Sequence, residues 1–158
     1  TMKRAAAILE DLHCPFIINQ NSYNIFNRTI EENGLKQAAA DGKKGIISFS
    51  PLAQGMLTDR YLHGIPEDSR AGRSSSPFLN AERVQETIEK SRALNEIAQR
   101  RGQTLAEMAV AWILRDGKVT SVLIGASRVS QIDDNVKALE NLAFSNEELD
   151  EIEAVLAK

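Results

Sequence analysis

Apolar residues along this chain recur with two different periods. At Ala5, Ile8, Leu9 and Leu12 they return every three or four positions, which puts them on one face of a helix over Met2 to Leu12. Pro15-Phe16-Ile17-Ile18-Asn19-Gln20 breaks that rhythm with a short continuous apolar run ending in amides, and predicts a buried strand. After an Asn-rich turn the helical period resumes from Thr29 to Ala40, with an interruption at Gly34 and a stop at Asp41-Gly42. Gly45-Ile46-Ile47-Ser48-Phe49 predicts a second buried strand.

From Pro51 to about Asn80 no period holds, and the stretch includes the weakly structured Ser74-Ser75-Ser76-Pro77. Loops longer than about 12–15 residues without structure of their own are uncommon and usually functional, so this one is a candidate binding segment. Ala81 to Arg101 then reads as a long helix with Val84, Ile88, Leu94, Ile97 and Ala98 on one face, closed by Gly102. Thr104-Leu105-Ala106-Glu107 is a capping box opening a helix with Leu105, Met108, Ala109 and Trp112 in one stripe, ending at Asp116-Gly117. Val119 to Ile124 predicts a third strand. Gly125-Ala126-Ser127 starts a helix bearing Val129, Ile132, Val136 and Leu139, and a second capping box, Ser145-Asn146-Glu147-Glu148, begins the last helix through Leu149, Ile152 and Val155.

The order α-β-α-β-loop-α-α-β-α-α predicts an α/β protein with parallel β/α units and helices covering the sheet. Three strands cannot close a barrel and leave two open edges. The chain therefore reads as a single partial domain, residues 1–158, and its opening at Thr1 without a methionine is consistent with a piece of something longer or a processed terminus. Composition changes this picture little. The 158 residues suffice for one ordinary core, and 42% hydrophobic with 26% charged residues is the balance of a globular protein. A net charge of −3 gives no basic footprint for nucleic acid, and no Lys/Arg cluster marks a membrane surface. Neither a membrane-spanning run nor a signal peptide is visible. Cys14 is the only cysteine, which excludes an intrachain disulfide and fits a reducing, cytoplasmic setting.

In parallel β/α barrels functional groups gather at the C-terminal ends of strands, often with a phosphate site after the last two. Here those positions are Gln20, then Ser50 to Gly55, then Gly125 to Asn135. Gly125 lets a ligand approach the backbone, Ser127 is a natural N-cap, and the free N–H groups of the following helix favour a phosphate. Gln131 and Asn135 lie one turn apart on one face. A Gly-x-Ser helix start is commonplace, however, and by itself is no more than a cap. No Gly-x-Gly-x-x-Gly fingerprint and no Gly-Lys-Ser/Thr loop occur, so a dinucleotide would not bind in the Rossmann manner. His13 reads as a packed or capping imidazole, His63 as a solvated turn residue, and Cys14 as a small core residue. Tyr23 and Tyr61 read as structural, Trp112 as core, and no cluster has metal-ligand spacing.

The stretches "FIINQNSYNIFNR", "SFSPLAQGMLTDRYLHGIPEDSR" and "VTSVLIGASRVSQIDDNVKAL", in that order, resemble the C-terminal half of an aldo-keto reductase. They are most similar to the branch of the family holding the L-glyceraldehyde-phosphate reductases and the potassium-channel beta subunits. The resemblance covers essentially the whole chain, and the joined Ser-Pro-Leu-Ala-x-Gly and Gly-Ala-Ser-x5-Asp/Glu-Asn blocks carry it. It implies a parallel (β/α)8 TIM barrel of which this chain supplies about the last three β/α units plus C-terminal helices, with NADP(H) bound in an extended conformation. By the same resemblance Gln20 would hold the nicotinamide carboxamide and Phe49 would stack on the ring. Ser50, Leu52 and Gly55 would face the ribose and pyrophosphate, with Pro51, Ala53 and Gln54 shaping the turn. Arg60 and Arg70 match basic positions in a loop over the pyrophosphate. Gly125, Ser127 and Gln131 fall at the 2′-phosphate end, with Asp134 and Asn135 near the adenine.

The sequence departs from the family in two places. Other branches have an arginine at the position of Gln131; here the nearest guanidinium is Arg128, which weakens the expected preference for NADP over NAD without removing it. The family's catalytic Asp, Tyr, Lys and His belong to the N-terminal half, and no position of this chain matches them. The expectation is therefore the cofactor-binding half of an NADP(H)-dependent oxidoreductase that reduces aldehydes or ketones, inactive without its N-terminal half. The alternatives are a non-catalytic nucleotide-sensing subunit of the channel-beta type, and a half-barrel that pairs with a second copy of itself.

Overall fold

The computed structural model describes residues 2–14, 16–66 and 81–157, and their side chains except those of 81–84 and 86. Helix α1 (Met2–Asp11) leads to β1 (Ile18–Ser22), the short pair α2 (Thr29–Glu32) and α3 (Leu35–Asp41), and β2 (Gly45–Phe49). Then come α4 (Ala81–Arg100), α5 (Leu105–Leu114), β3 (Ser121–Val122), α6 (Val129–Lys137) and α7 (Asn146–Leu156). The strands form one parallel sheet in the order β1-β2-β3. Ile18 pairs with Gly45, Gln20 with Ile47, Ser22 with Phe49, and Ile47 with Ser121.

Side chains alternate across a strand, so Gln20, Ile47 and Phe49 share one face and Asn19, Ile46 and Ser48 the other. Among the described residues, helices cover the second face. Ile46 and Ser48 are buried among Tyr23, Leu94, Trp112 and Ile152, whereas Phe49 is exposed. This corrects the expectation of strands buried on both sides. Ile17, read as strand core, is 74% exposed, and Leu123 and Ile124 emerge from the sheet after the two residues of β3. The cause is position: β1 and β3 are edges, and a residue on an edge strand has neighbours on one side only.

Several predicted boundaries match their local chemistry. Gly34 and Gly102 adopt left-handed φ of 73° and 69°, the first separating α2 from α3 and the second ending α4. Both capping boxes form, Thr104 with Glu107 and Ser145 with Glu148. Helix α5 is buried along nearly its whole circumference rather than on one stripe, which makes it the central helix of the core. Cys14 is exposed, not core, because the chain reverses after α1 through His13 at φ 53° and leaves it on the outside. Helix α6 and the short turn after it, Ala138–Glu140, carry their apolar stripe outward: Val129 is 75% exposed, and Ile132, Val136 and Leu139 are exposed with it, while Asn135 and Ala138 are buried. α6 lies against α5 beyond the β3 edge, and nothing described covers its outer side.

The residue after β1 fastens the sheet to its helices. Tyr23 is fully buried, tilted against Trp112 with ring centroids 5.3 Å apart. Its hydroxyl donates to Glu31 at 2.6 Å and accepts from Lys36 at 2.8 Å and Arg115 at 3.0 Å. Lys36 also meets Glu31 and Asp116, each at 3.0 Å, and Arg115 lies 3.7 Å over the Trp112 ring. Burial alone would raise the Glu31 pKa. The hydrogen bonds from Tyr23 and Lys36 and the charges of Lys36 and Arg115 outweigh it and hold the carboxyl at about 2.

A depressed carboxylate contributes stability at pH above its unfolded value and loses it as pH falls towards the folded one. Glu31→Gln is expected to cost about 2 kcal/mol near neutrality, the range for a hydrogen bond to a charged group. Urea unfolding should show the wild-type advantage shrinking as pH drops from 4.5 to about 2.

Candidate functional site

The three strands run parallel, so their C-terminal ends deliver chain to one end of the sheet. Two of these exits form facing walls. The first follows β2. Ser50, Ala53 and Gln54 adopt left-handed φ of 55°, 47° and 60°, and Gly55 one of 99°. A non-glycine residue in that region costs about 1–2 kcal/mol and persists only where its surroundings hold it. Here the amide of Ala53 donates to the Ser50 carbonyl at 3.1 Å, and those of Gly55 and Leu57 donate to the Leu52 carbonyl at 2.8 and 3.2 Å. The Thr58 hydroxyl donates to the Gly55 carbonyl at 2.7 Å, and the buried Ser91 hydroxyl donates to that of Met56 at 2.9 Å. Pro51, Met56, Leu57, Tyr61 and Leu62 are buried, so the start of the long loop is anchored rather than loose. Arg60 sits exposed in the turn Asp59–Tyr61. Arg70 and Ser74 to Pro77 lie outside the described residues.

The second wall follows β3. Gly125, Ser127 and Arg128 are exposed, and a Cβ at Gly125 would meet nothing within 4 Å. The residue capping α6 is Arg128 in extended conformation, not Ser127 as the sequence suggested. Ser127 instead donates through its amide (2.8 Å) and its hydroxyl (3.2 Å) to the side-chain carbonyl of Gln131, which reaches back over the helix start. Asp134 is half-buried, 3.6 Å from Lys137. Asn135 is buried; its Nδ2 donates to the Gln131 carbonyl at 2.5 Å, while its Oδ1 has no partner.

Between these walls runs a groove of about 1480 Å³. It exceeds the roughly 300–1,000 Å³ of a drug-sized pocket because it is an open groove rather than an enclosed cavity. Of the residues read from the sequence, Ser50, Pro51, Leu52, Gln54, Gly55 and Arg60 line it on one side. Gly125, Ser127, Arg128, Gln131, Asp134 and Asn135 line it on the other. Gln20 and Phe49 stand outside it on the uncovered face of the sheet, and Ala53 packs towards the core.

The sequence reading missed the floor, made by the turn between α4 and α5 with Arg101, Gln103 and Glu107. Arg101 stacks on Phe144 at 3.6 Å and donates to Glu148 at 2.6 Å and the Ala143 carbonyl at 2.9 Å, which clamps the α6–α7 connection. Gly102 and the adjacent capping box announced a turn there, but not its partners some forty residues on. A phenol, an ammonium and a carboxylate also meet at Tyr23, Lys36 and Glu31. Tyr23 and Lys36 are buried there and the Glu31 side chain is a quarter exposed; burial pushes the Tyr23 phenol well above its ordinary pKa, and the cluster lies outside the groove, so we read it as structural. Among the described residues no group of His, Cys and carboxylates could hold a metal ion, and no helix is long and apolar enough to cross a membrane.

The model of the aldo/keto reductase family matches residues 1–157. The chain belongs to that family. It is 44% identical over 158 residues to an L-glyceraldehyde 3-phosphate reductase of Escherichia coli K12, covering 98% of this chain and 46% of that protein. It is 37% identical over 143 residues to a probable voltage-gated potassium channel subunit beta of rice, Oryza sativa subsp. japonica, covering 89% of this chain and 44% of that one. The chain thus spans about half the length of the curated relatives it matches. Among solved structures, the glycerol dehydrogenase of Gluconobacter oxydans superposes with a TM-score of 0.72 at 25% identity, over 89% of this chain and 42% of that one. An aldo-keto reductase of Bacillus halodurans in its holo form superposes at 0.63 and 23% identity, over 94% and 46%. The three strands and their helices are part of an aldo-keto reductase barrel.

Gly55 is the sharpest test of the first wall. Its φ is 99°, and a Cβ there would stand 3.3 Å from the buried Tyr61 ring. Gly55→Ala should destabilise by about 1–2 kcal/mol, read as a lowered midpoint in thermal unfolding.

Proposed function

We propose that this chain is the cofactor-binding half of an NADP(H)-dependent reductase of aldehydes or ketones. The observation that carries the reading is the unpartnered Oδ1 of Asn135, an acceptor buried on the groove wall. Buried polar atoms are almost always hydrogen-bonded; this one is closed off as it stands, and the exocyclic amine of an adenine would satisfy it once the Asn135 amide turns towards the groove. The exposed start of α6 on the same wall favours a phosphate through its amides and dipole.

In this reading Asp134 and Asn135 hold the adenine, and Gly125, Ser127 and Gln131 face the 2′-phosphate, with Arg128 the nearest guanidinium. NADP rather than NAD rests on that last group. The rigid turn from Ser50 to Gly55 faces the ribose and pyrophosphate, with Arg60 and Arg70 above it. Gln20 and Phe49, diagonal neighbours on the open face of the sheet, orient the nicotinamide through its carboxamide and its ring face. When bound, the cofactor supplies a hydride to the substrate carbonyl. Among the described residues no group stands ready as the proton donor, so in this reading protonation of the developing alkoxide falls to the rest of the barrel. The single domain 1–158 is then a positioning half, inactive alone, and a cytoplasmic setting suits it.

The similarity to the rice channel subunit beta supports a second reading, a regulatory subunit, for which we infer nucleotide binding without turnover. Steady oxidation of NADPH by the intact protein with a simple aldehyde would overturn it.

Two measurements check the main reading. Calorimetric titration of the intact protein with NADPH should give saturable one-site binding; no binding would sink the proposal. Gly125→Val, at a position with open space around it, should leave thermal stability within about 0.5 kcal/mol while weakening NADPH roughly tenfold or more. Separately, this chain expressed alone should show no carbonyl reduction, followed as NADPH absorbance.

A further inference from the structure

The Asn-rich stretch after β1 contributes more than Gln20. Asn24 is only 4% exposed, and both ends of its side chain are engaged. Oδ1 accepts from the amides of Phe26 and Asn27, each at 2.9 Å, which closes a tight turn. Nδ2 donates to the Ser50 carbonyl at 2.8 Å, across 26 positions of sequence. The backbone of Asn24 is meanwhile bonded to Asn27 in both directions at 3.1 Å. The main-chain link between the exits of β1 and β2 therefore ends at Tyr23, whose amide reaches the Phe49 carbonyl at 3.4 Å. The side chain of Asn24 makes the next one in its place.

That link lands on Ser50, the first of the three left-handed non-glycine residues of the groove wall. Its carbonyl has two donors, Asn24 from outside the loop and Ala53 from within it. Among the described residues the first is the hydrogen bond to Ser50 that comes from outside the loop, and without it Ser50 is held against relaxation towards the extended conformation by the loop's own bond and by the packing of its neighbours. Asn24 does not line the groove. We propose that Asn24 is a positioning residue for nucleotide binding, whose amide fixes the Ser50 carbonyl and through it the groove surface offered by Ser50, Leu52 and Gly55. The assignment rests on the cofactor reading above.

The variants separate the link from the turn. Asn24→Asp keeps an acceptor for Phe26 and Asn27 but cannot donate to Ser50. Asn27→Ala removes a side chain of the same turn that does not touch Ser50. In the intact protein Asn24→Asp should raise the calorimetric Kd for NADPH about tenfold, the scale of one hydrogen bond. At saturating NADPH its kcat should stay within about twofold, and the amides of Gly55 and Leu57 should exchange hydrogen faster without nucleotide. Asn27→Ala should leave the Kd within about twofold. Glycine takes a left-handed φ readily, so the effect of Asn24→Asp should shrink in a Ser50→Gly background.

Should a carboxylate at this buried position prevent folding, Asn24→Ala is measured against the same control. An unchanged Kd in the Asn24 variant, or equal losses in the Asn24 and Asn27 variants, overturns the assignment and leaves the cofactor reading standing. A wild-type protein that binds no NADPH overturns both.

Discussion

The hydroxyl of Tyr23 is the point at which the sheet and its helices are held to one another. A phenol has one proton to give and two lone pairs to offer, and all three are used, by Glu31, Lys36 and Arg115. These partners come from α2, α3 and the end of α5. The carbonyl of the same residue accepts from Ser48 in β2 at 2.7 Å. One residue thus sets both how the outer helices sit and where the strands stop. The charges around it are tolerable because each has an opposite neighbour; alone, any of them would be a costly thing to bury.

The groove is a consequence of where the strands stop. Once Tyr23 ends the pairing of β1 with β2, the chain after β2 must turn. The left-handed run from Ser50 is the form that turn takes. The second wall arises because β3 is short and releases the chain early, and the floor because Arg101 pins the α6–α7 connection below it. A binding surface built from two strand exits and one helix junction has no contiguous sequence signature of its own.

That explains what could be read in advance. Helices and their ends were legible because their signals are local: Gly34, Gly102 and the capping boxes at Thr104 and Ser145 act within a turn or two. Which face of α6 points inward was not legible. Val129, Ile132 and Val136 make an inward-looking stripe by spacing, and only the absence of a described neighbour leaves them outside. Strand burial failed for the same reason at Ile17, Leu123 and Ile124, since an apolar run does not say whether it sits at an edge. Most residues of the groove walls were legible through a resemblance in two spaced blocks. The floor was not, because Arg101 has meaning only beside Phe144 and Glu148. The cluster at Tyr23 escaped notice because its members are scattered from position 23 to 116.

The pairing of Arg28 with Glu153 has a bearing on how the chain acquires its structure. These residues meet at 2.5 Å although 125 positions separate them, and the Lys90 ammonium likewise donates to the Leu156 carbonyl at 3.0 Å. Contacts of such long separation require large loops to close before they stabilise anything, which slows folding. During synthesis, the segment around β1 can close its local turn at Asn24–Asn27 early, though helices as short as α2 and α3 stay marginal until they are packed. It must then wait for α7 to emerge from the ribosome before Arg28 finds its last partner.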